Sequence, residues 1–110
     1  MSITGLFDVE QLLTDASTAT GELSDFGDPS FRPGLEKLCT ALAGEARLSD
    51  AGAPIMRQKI LGQLMNRLRV EDYFRQHPEI SQEKVAAPLV IVGLPRTGTT
   101  KLHRLLSRDP

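Results

Sequence analysis

Four consecutive apolar residues, Leu89-Val90-Ile91-Val92, set the hardest condition on how this chain can fold. Three of them are β-branched, and the run reads as a strand buried on both faces, the kind found in parallel sheets. Such a strand needs neighbours on both sides. No other segment of the 110 residues reads as a credible central strand. The sequence also stops at Pro110, directly after the helix that a strand–helix unit would use to return to the next strand. The expectation is therefore an N-terminal piece of a longer α/β protein, with a helical region over 1–87 and an incomplete sheet-bearing domain, begun by a strand, a glycine loop and a helix, over 88–110.

The residues before the strand carry a helical period. Leu6, Phe7, Leu12 and Leu13 fall on a partly helical spacing within 3–20, which reads as a short helix frayed at its Ser/Thr-rich end. Asp25 to Pro29 is a loop, and Asp28-Pro29 reads as an N-cap followed by proline in the first helical position. Leu35, Leu38, Cys39 and Leu42 then recur at i, i+3, i+4 and i+7, one face of a helix extending to about Leu48, with Pro33 and Gly34 weakening its first turn. Ser49 to Gly52 breaks the pattern. A further helix begins near Ala53-Pro54 and buries Leu61, Leu64, Met65 and Leu68, leaving Arg57, Lys59, Arg67 and Arg69 mostly as solvated charge. Asp72 to His77 adds a turn or two before Pro78. After Gly98, residues Thr99 to Arg108 read as a helix with Leu102, Leu105 and Leu106 facing inward.

Charge is unevenly placed although the net value is only −1. Asp8, Glu10, Asp15, Glu22, Asp25 and Asp28 precede the first basic residue, Arg32, whereas Arg96, Lys101, Arg104 and Arg108 crowd the C-terminal end. A balance this close to neutral gives no reason to expect nucleic acid or a membrane surface as partner, but the C-terminal end is the one that attracts anions. The single cysteine, Cys39, has no partner for an internal disulfide and reads as a small core hydrophobe. No apolar run approaches the roughly 18 residues of a membrane span, and the N-terminus lacks the pattern of a secretory signal, so a cytoplasmic location is expected.

The chemistry lies in Gly93-Leu94-Pro95-Arg96-Thr97-Gly98-Thr99-Thr100, between the expected strand and the expected helix. That context suits a phosphate-binding loop. Backbone N–H groups at the start of a helix have no intrahelical partners and carry the positive end of the helix dipole. Gly98 lets the backbone approach an anion without a Cβ, and the hydroxyls of Thr97, Thr99 and Thr100 can donate further hydrogen bonds. The glycine spacing is that of a Walker A loop, but Thr99 stands where a nucleotide triphosphatase carries lysine, and Lys101 lies on a different side of the helix.

The run Pro95-Arg96-Thr97-Gly98-Thr99-Thr100 resembles the donor-binding motif of PAPS-dependent sulfotransferases, in which a basic residue, a Ser or Thr, glycine and two Ser/Thr residues follow a proline. The helical segments Phe31 to Leu48 and Ile55 to Pro78 are similar, by pattern, to the N-terminal helical region of the family's bacterial branch. The resemblance implies a P-loop-like parallel-sheet fold and a donor, 3′-phosphoadenosine 5′-phosphosulfate (PAPS), whose 5′-phosphate is held by Pro95, Arg96, Thr97, Gly98, Thr99 and Thr100, with no metal. It also implies a catalytic part for Arg96, which stands where many members carry lysine, beside the oxygen that bridges phosphorus and sulfur. The full-length parent would transfer a sulfuryl group to a hydroxyl or amine of a small-molecule, lipid or carbohydrate acceptor, and the 110 residues alone would be inactive. His103, on the flank of the helix after the loop, and His77, at a helix end, read as surface or packing residues. Two alternatives stay open: a phosphate-loop kinase or nucleotide triphosphatase, and a small helical protein in which the glycine loop is only a turn.

Overall fold

The fold is taken from a computed structural model that describes residues 3–109. Five α-helices appear in order: α1 (Ile3–Leu6), α2 (Val9–Ala19), α3 (Phe31–Ala43), α4 (Gly52–Gln76) and α5 (Thr99–Leu106), with a 3₁₀ turn at Pro78–Gln82.

Each boundary has a local cause. The Asp8 side chain accepts a hydrogen bond from the Gln11 N–H at 2.8 Å, capping α2 and separating it from α1. At the other end the Thr20 hydroxyl donates to the Ala16 carbonyl at 2.9 Å, satisfying an acceptor of the last turn. Asp28 accepts from the Ser30 N–H at 2.8 Å and so shapes the turn before α3, but it is not the expected N-cap: the helix starts at Phe31, its N-cap is Ser30 without a side-chain cap bond, and Pro29 lies before it. Ser49, read from sequence as part of a break, instead organises the start of α4: its hydroxyl accepts from the Gly52 N–H at 3.0 Å and its carbonyl from the Ala53 N–H at 3.0 Å. The stretch 72–76 continues α4 without interruption, and α3 ends at Ala43, earlier than the expected Leu48.

α2 is central. It runs along α4 and also touches α3, while α1 contacts both α3 and α4. Leu12 and Ala16 of α2 are fully buried, as is Leu68 of α4, and around them close Phe7, Leu35, Cys39, Leu42, Ala53, Ile60 and Leu64. The i, i+4, i+8 series Ile60, Leu64, Leu68 is the core stripe of α4, with Leu61 and Met65 half-buried at its margin. Cys39 lies in this core as expected, and burial pushes its thiol above its ordinary pKa.

Arg57 and Arg67 correct the expectation of solvated charge. Arg57 pairs with Asp15 across the α2–α4 contact, with its side chain only 18% exposed. Arg67 donates to the carbonyls of Phe26 (2.5 Å) and Asp28 (3.0 Å), and its guanidinium lies 4.4 Å from the centre of the Phe31 ring. It thereby ties the 25–30 loop to α4 through a cation–π contact and two charge-assisted hydrogen bonds.

The expected α/β class is overturned. The described residues contain helices and turns but no strand. Residues 89–92 are not paired with any other segment, and Leu89, Val90 and Val92 are 77%, 71% and 88% exposed where burial on both faces was expected. The physical reason is that a strand exists through its ladder of inter-strand hydrogen bonds, which apolarity alone cannot supply. The inward face expected of the last helix is absent for a related reason: Leu102, Leu105 and Leu106 of α5 are all exposed, because α5 packs extensively against no other element. From Ser81 to Asp109 no residue is buried. The radius of gyration is 18.0 Å, against about 13 Å for a compact domain of this length.

Candidate anion-binding site

Residues 95–98 form a turn and a bend that lead into α5. The Thr97 hydroxyl donates to the Leu94 carbonyl at 2.6 Å, closing a tight loop around Pro95 and Arg96. Arg96 has φ of 66° and Gly98 a φ of 91°, so the backbone crosses the left-handed region on both sides of Thr97. For Gly98 that conformation is unstrained, and nothing lies within 4 Å of where its Cβ would stand. Gly93 is needed for the opposite reason. A Cβ there would come within 2.9 Å of Thr99 Cγ2 and 3.0 Å of Thr97 Oγ1.

Gly98 is the N-cap of α5, and no side chain caps this end. Its carbonyl accepts the Leu102 N–H at 3.0 Å, the first bond of the helix, which leaves the N–H groups of Thr99, Thr100 and Lys101 pointing outward without intrahelical acceptors. No acidic residue occupies the first turn to meet them. Beside this end opens a cleft of about 670 Å³, lined by Arg96, Gly98, Thr99, Thr100, Lys101, Arg104, Leu105 and Arg108. That volume is within the range of small-ligand sites, about 300–1,000 Å³.

Arg96, Gly98, Thr99 and Thr100, of the residues expected to hold an anion, line the cleft together. Pro95 and Thr97 do not. Pro95 lies in the turn, and the Thr97 hydroxyl is spent on the Leu94 carbonyl, so Thr97 shapes the loop while Thr99 and Thr100 present theirs to the cleft. Lys101, Arg104 and Arg108 also line it; from sequence they stood at the anion-attracting end but not among the residues of the site, and Lys101 was set aside as a substitute for the Walker A lysine. Their i, i+3, i+7 spacing was the available signal, since it places all three on one side of a helix. His103 is exposed and is not in the lining. His77 caps the C-terminal end of α4, with Nδ1 at 3.0 Å from Glu79 Oε1 and its ring 4.2 Å from that of Tyr73.

The electrostatics of this cleft differ from those of the helical core. Among the described residues, none of Arg96, Lys101, Arg104 and Arg108 makes an ion pair or a side-chain hydrogen bond, and the lining contains no carboxylate. Comparison with protein-family models, with curated proteins and with solved structures finds no match. No helix among the described residues is long and apolar enough to cross a membrane.

Proposed function

We propose that the loop Pro95–Thr100 binds the 5′-phosphosulfate end of PAPS and that the chain serves PAPS-dependent sulfuryl transfer. The observation that carries this proposal is the convergence of an uncapped helix N-terminus, the hydroxyl-bearing Thr99 and Thr100, and the unpaired Arg96 on one cleft. This donor set fits a phosphate bearing a further oxyanion: backbone N–H groups and hydroxyls for the oxygens, and a permanent cation for the charge.

In sulfuryl transfer the acceptor oxygen or nitrogen bonds to sulfur while the bond from sulfur to the bridging oxygen breaks, and that electron pair stays on the leaving 5′-phosphate. PAPS supplies the activated sulfuryl group. Arg96 faces the oxygen on which charge grows, so it stabilises the transition state more than the ground state. Its role is electrostatic, since a guanidinium does not give up its proton in a protein. The N–H groups of the first turn of α5 hold the phosphate in place, and the Gly98 position lets it approach. The acceptor's proton needs a separate base, because neither threonine hydroxyls nor an arginine accepts it.

One observation favours comparison with a nucleotide triphosphate: Lys101 lines the same cleft and restores a lysine near the loop. Calorimetric titration of the chain with adenosine 3′,5′-bisphosphate, the product nucleotide, and with ATP plus Mg²⁺ separates the two. Preference for the bisphosphate, lost in Arg96→Ala, is the expected result. Preference for ATP moves the loop to phosphoryl-transfer chemistry, and binding of neither returns it to a turn.

A further inference from the structure

We infer that Lys101, Arg104 and Arg108 form a second anion subsite, separate from the loop, for a phosphate, sulfate or carboxylate of a ligand whose first anionic group sits at Gly98–Thr100. The inference rests on the proposed donor site and adds to it the charge and reach of what is bound.

Three observations carry it. First, the residues recur at i, i+3 and i+7 and line one cleft with Arg96, so their charges converge instead of spreading around the helix. From Lys101 to Arg108 the row extends about 10 Å along the axis. An anion at the first turn of α5 therefore covers one end of it and leaves Arg104 and Arg108 free for another.

Second, four unneutralised cations share one cleft, whereas the arginines packed against the helical core are engaged. In the helical part Arg32 pairs with Glu10 and Glu36, Arg57 with Asp15 and Arg75 with Asp72, and Arg67 is engaged by two backbone carbonyls. The cleft holds no acid at all.

Third, the arrangement opposes the helix's own stability. Lys101 is in the first turn, where the helix dipole is positive and where no acidic residue stands. Like charges three positions apart on a helix repel, and the Lys101–Arg104 pair is of that kind, with Arg108 following in the turn just past the helix end. Arg104 and Arg108, near the C-terminal end, could be accounted for by the dipole alone. Lys101 cannot, and a bound anion removes the unfavourable terms at Lys101 and Arg104 at once.

The second anionic group can belong to the nucleotide, as a phosphate on its ribose, or to an acidic acceptor, and binding measurements separate the two. The unsubstituted chain and the triple variant Lys101→Gln, Arg104→Gln, Arg108→Gln, whose exposed sites leave the helical core untouched, are titrated with adenosine 5′-phosphate and adenosine 3′,5′-bisphosphate. Both are then titrated with glucose 6-sulfate and glucose in the presence of saturating adenosine 5′-phosphate. Preference for the bisphosphate of about tenfold or more, abolished in the triple variant, assigns the subsite to the nucleotide. Equal binding of the two nucleotides, with glucose 6-sulfate preferred to glucose only by the unsubstituted chain, assigns it to the acceptor. A bisphosphate preference that survives in the variant, or no preference for any doubly anionic combination, overturns the inference and leaves the donor site standing. Failure of every nucleotide to bind the unsubstituted chain overturns both.

Discussion

The helical part up to Gln82 and the segment that follows it treat the same kinds of residue in opposite ways. In the first, leucines interlock around Leu12, Ala16 and Leu68, and Arg32, Arg57, Arg67 and Arg75 are tied to carboxylates or carbonyls. In the second, five large apolar residues between Val85 and Leu94, together with Leu102, Leu105 and Leu106, are exposed, and four cations face one cleft without partners. The lesson is that apolar content and charge do not by themselves decide what a segment does. Stability belongs where side chains find complements within the chain, and the potential to bind belongs where they do not.

The comparison breaks most readily at the leucines. Leu68→Ala removes a fully buried side chain and is expected to cost about 2–5 kcal/mol in urea unfolding followed by helical circular dichroism. Leu106→Ala, on the exposed face of α5, is expected to stay within about 0.5 kcal/mol. Equal losses would mean that α5 belongs to the core.

Arginines give the next largest contrast. Arg67→Ala leaves the Phe26 and Asp28 carbonyls without their donor and the Phe31 ring without its cation, an expected loss of about 2 kcal/mol. Arg104→Ala, with no partner among the described residues, should leave the unfolding midpoint unchanged.

Acidification sharpens the same difference through the carboxylates. Hydrogen bonds from Arg57 and then Gln11 hold the Asp15 carboxyl below its ordinary pKa, and those from Ser30 do so for Asp28. A depressed folded-state pKa contributes stability that is fully present above the unfolded value, near 4, and is lost as the pH falls through the folded value. Unfolding midpoints should therefore be level above about pH 5 and decline below pH 4, with less decline in Asp15→Asn. A midpoint that rises on acidification would contradict the pairing.

The smallest stability effect is expected at the loop. Gly98→Ala places a Cβ in the left-handed region, a strain of about 1–2 kcal/mol that is confined to an unpacked segment. The unfolding midpoint of the helical part should not move, while affinity for adenosine 3′,5′-bisphosphate falls.

How far the sequence disclosed this molecule depends on whether a feature is local. Spacing marked Leu35, Cys39 and Leu42 and also Leu64 and Leu68 as core, but of the same two series Leu38 is 46% exposed and Leu61 and Met65 are only half-buried, because spacing gives the direction of a face and not its width. Ile60 escaped that pattern, although it lies four residues before Leu64 on the same stripe. The engagement of Arg57 and Arg67 was not legible, since their partners lie 42 and 41 or 39 residues away and are brought close only by packing. Leu89 to Val92 carry strand chemistry, but a strand is a relation between segments and the described residues offer no second one. In the site, the place of Gly98, Thr99 and Thr100 at the start of a helix was legible, since a loop that opens a helix sets it locally. That Lys101 lines the same cleft as Arg104 and Arg108 was not read from the sequence, where it was compared only with one position of a different loop.

The most direct test of the division between a self-satisfied helical core and an unsatisfied anion cleft is a backbone amide NMR titration of the chain with adenosine 3′,5′-bisphosphate. Shifts concentrated between Gly93 and Arg108, with the amides of α2, α3 and α4 unmoved, are the predicted result. Shifts centred on Arg32, Arg57, Arg67 or Arg75, or none at saturating nucleotide, would contradict it.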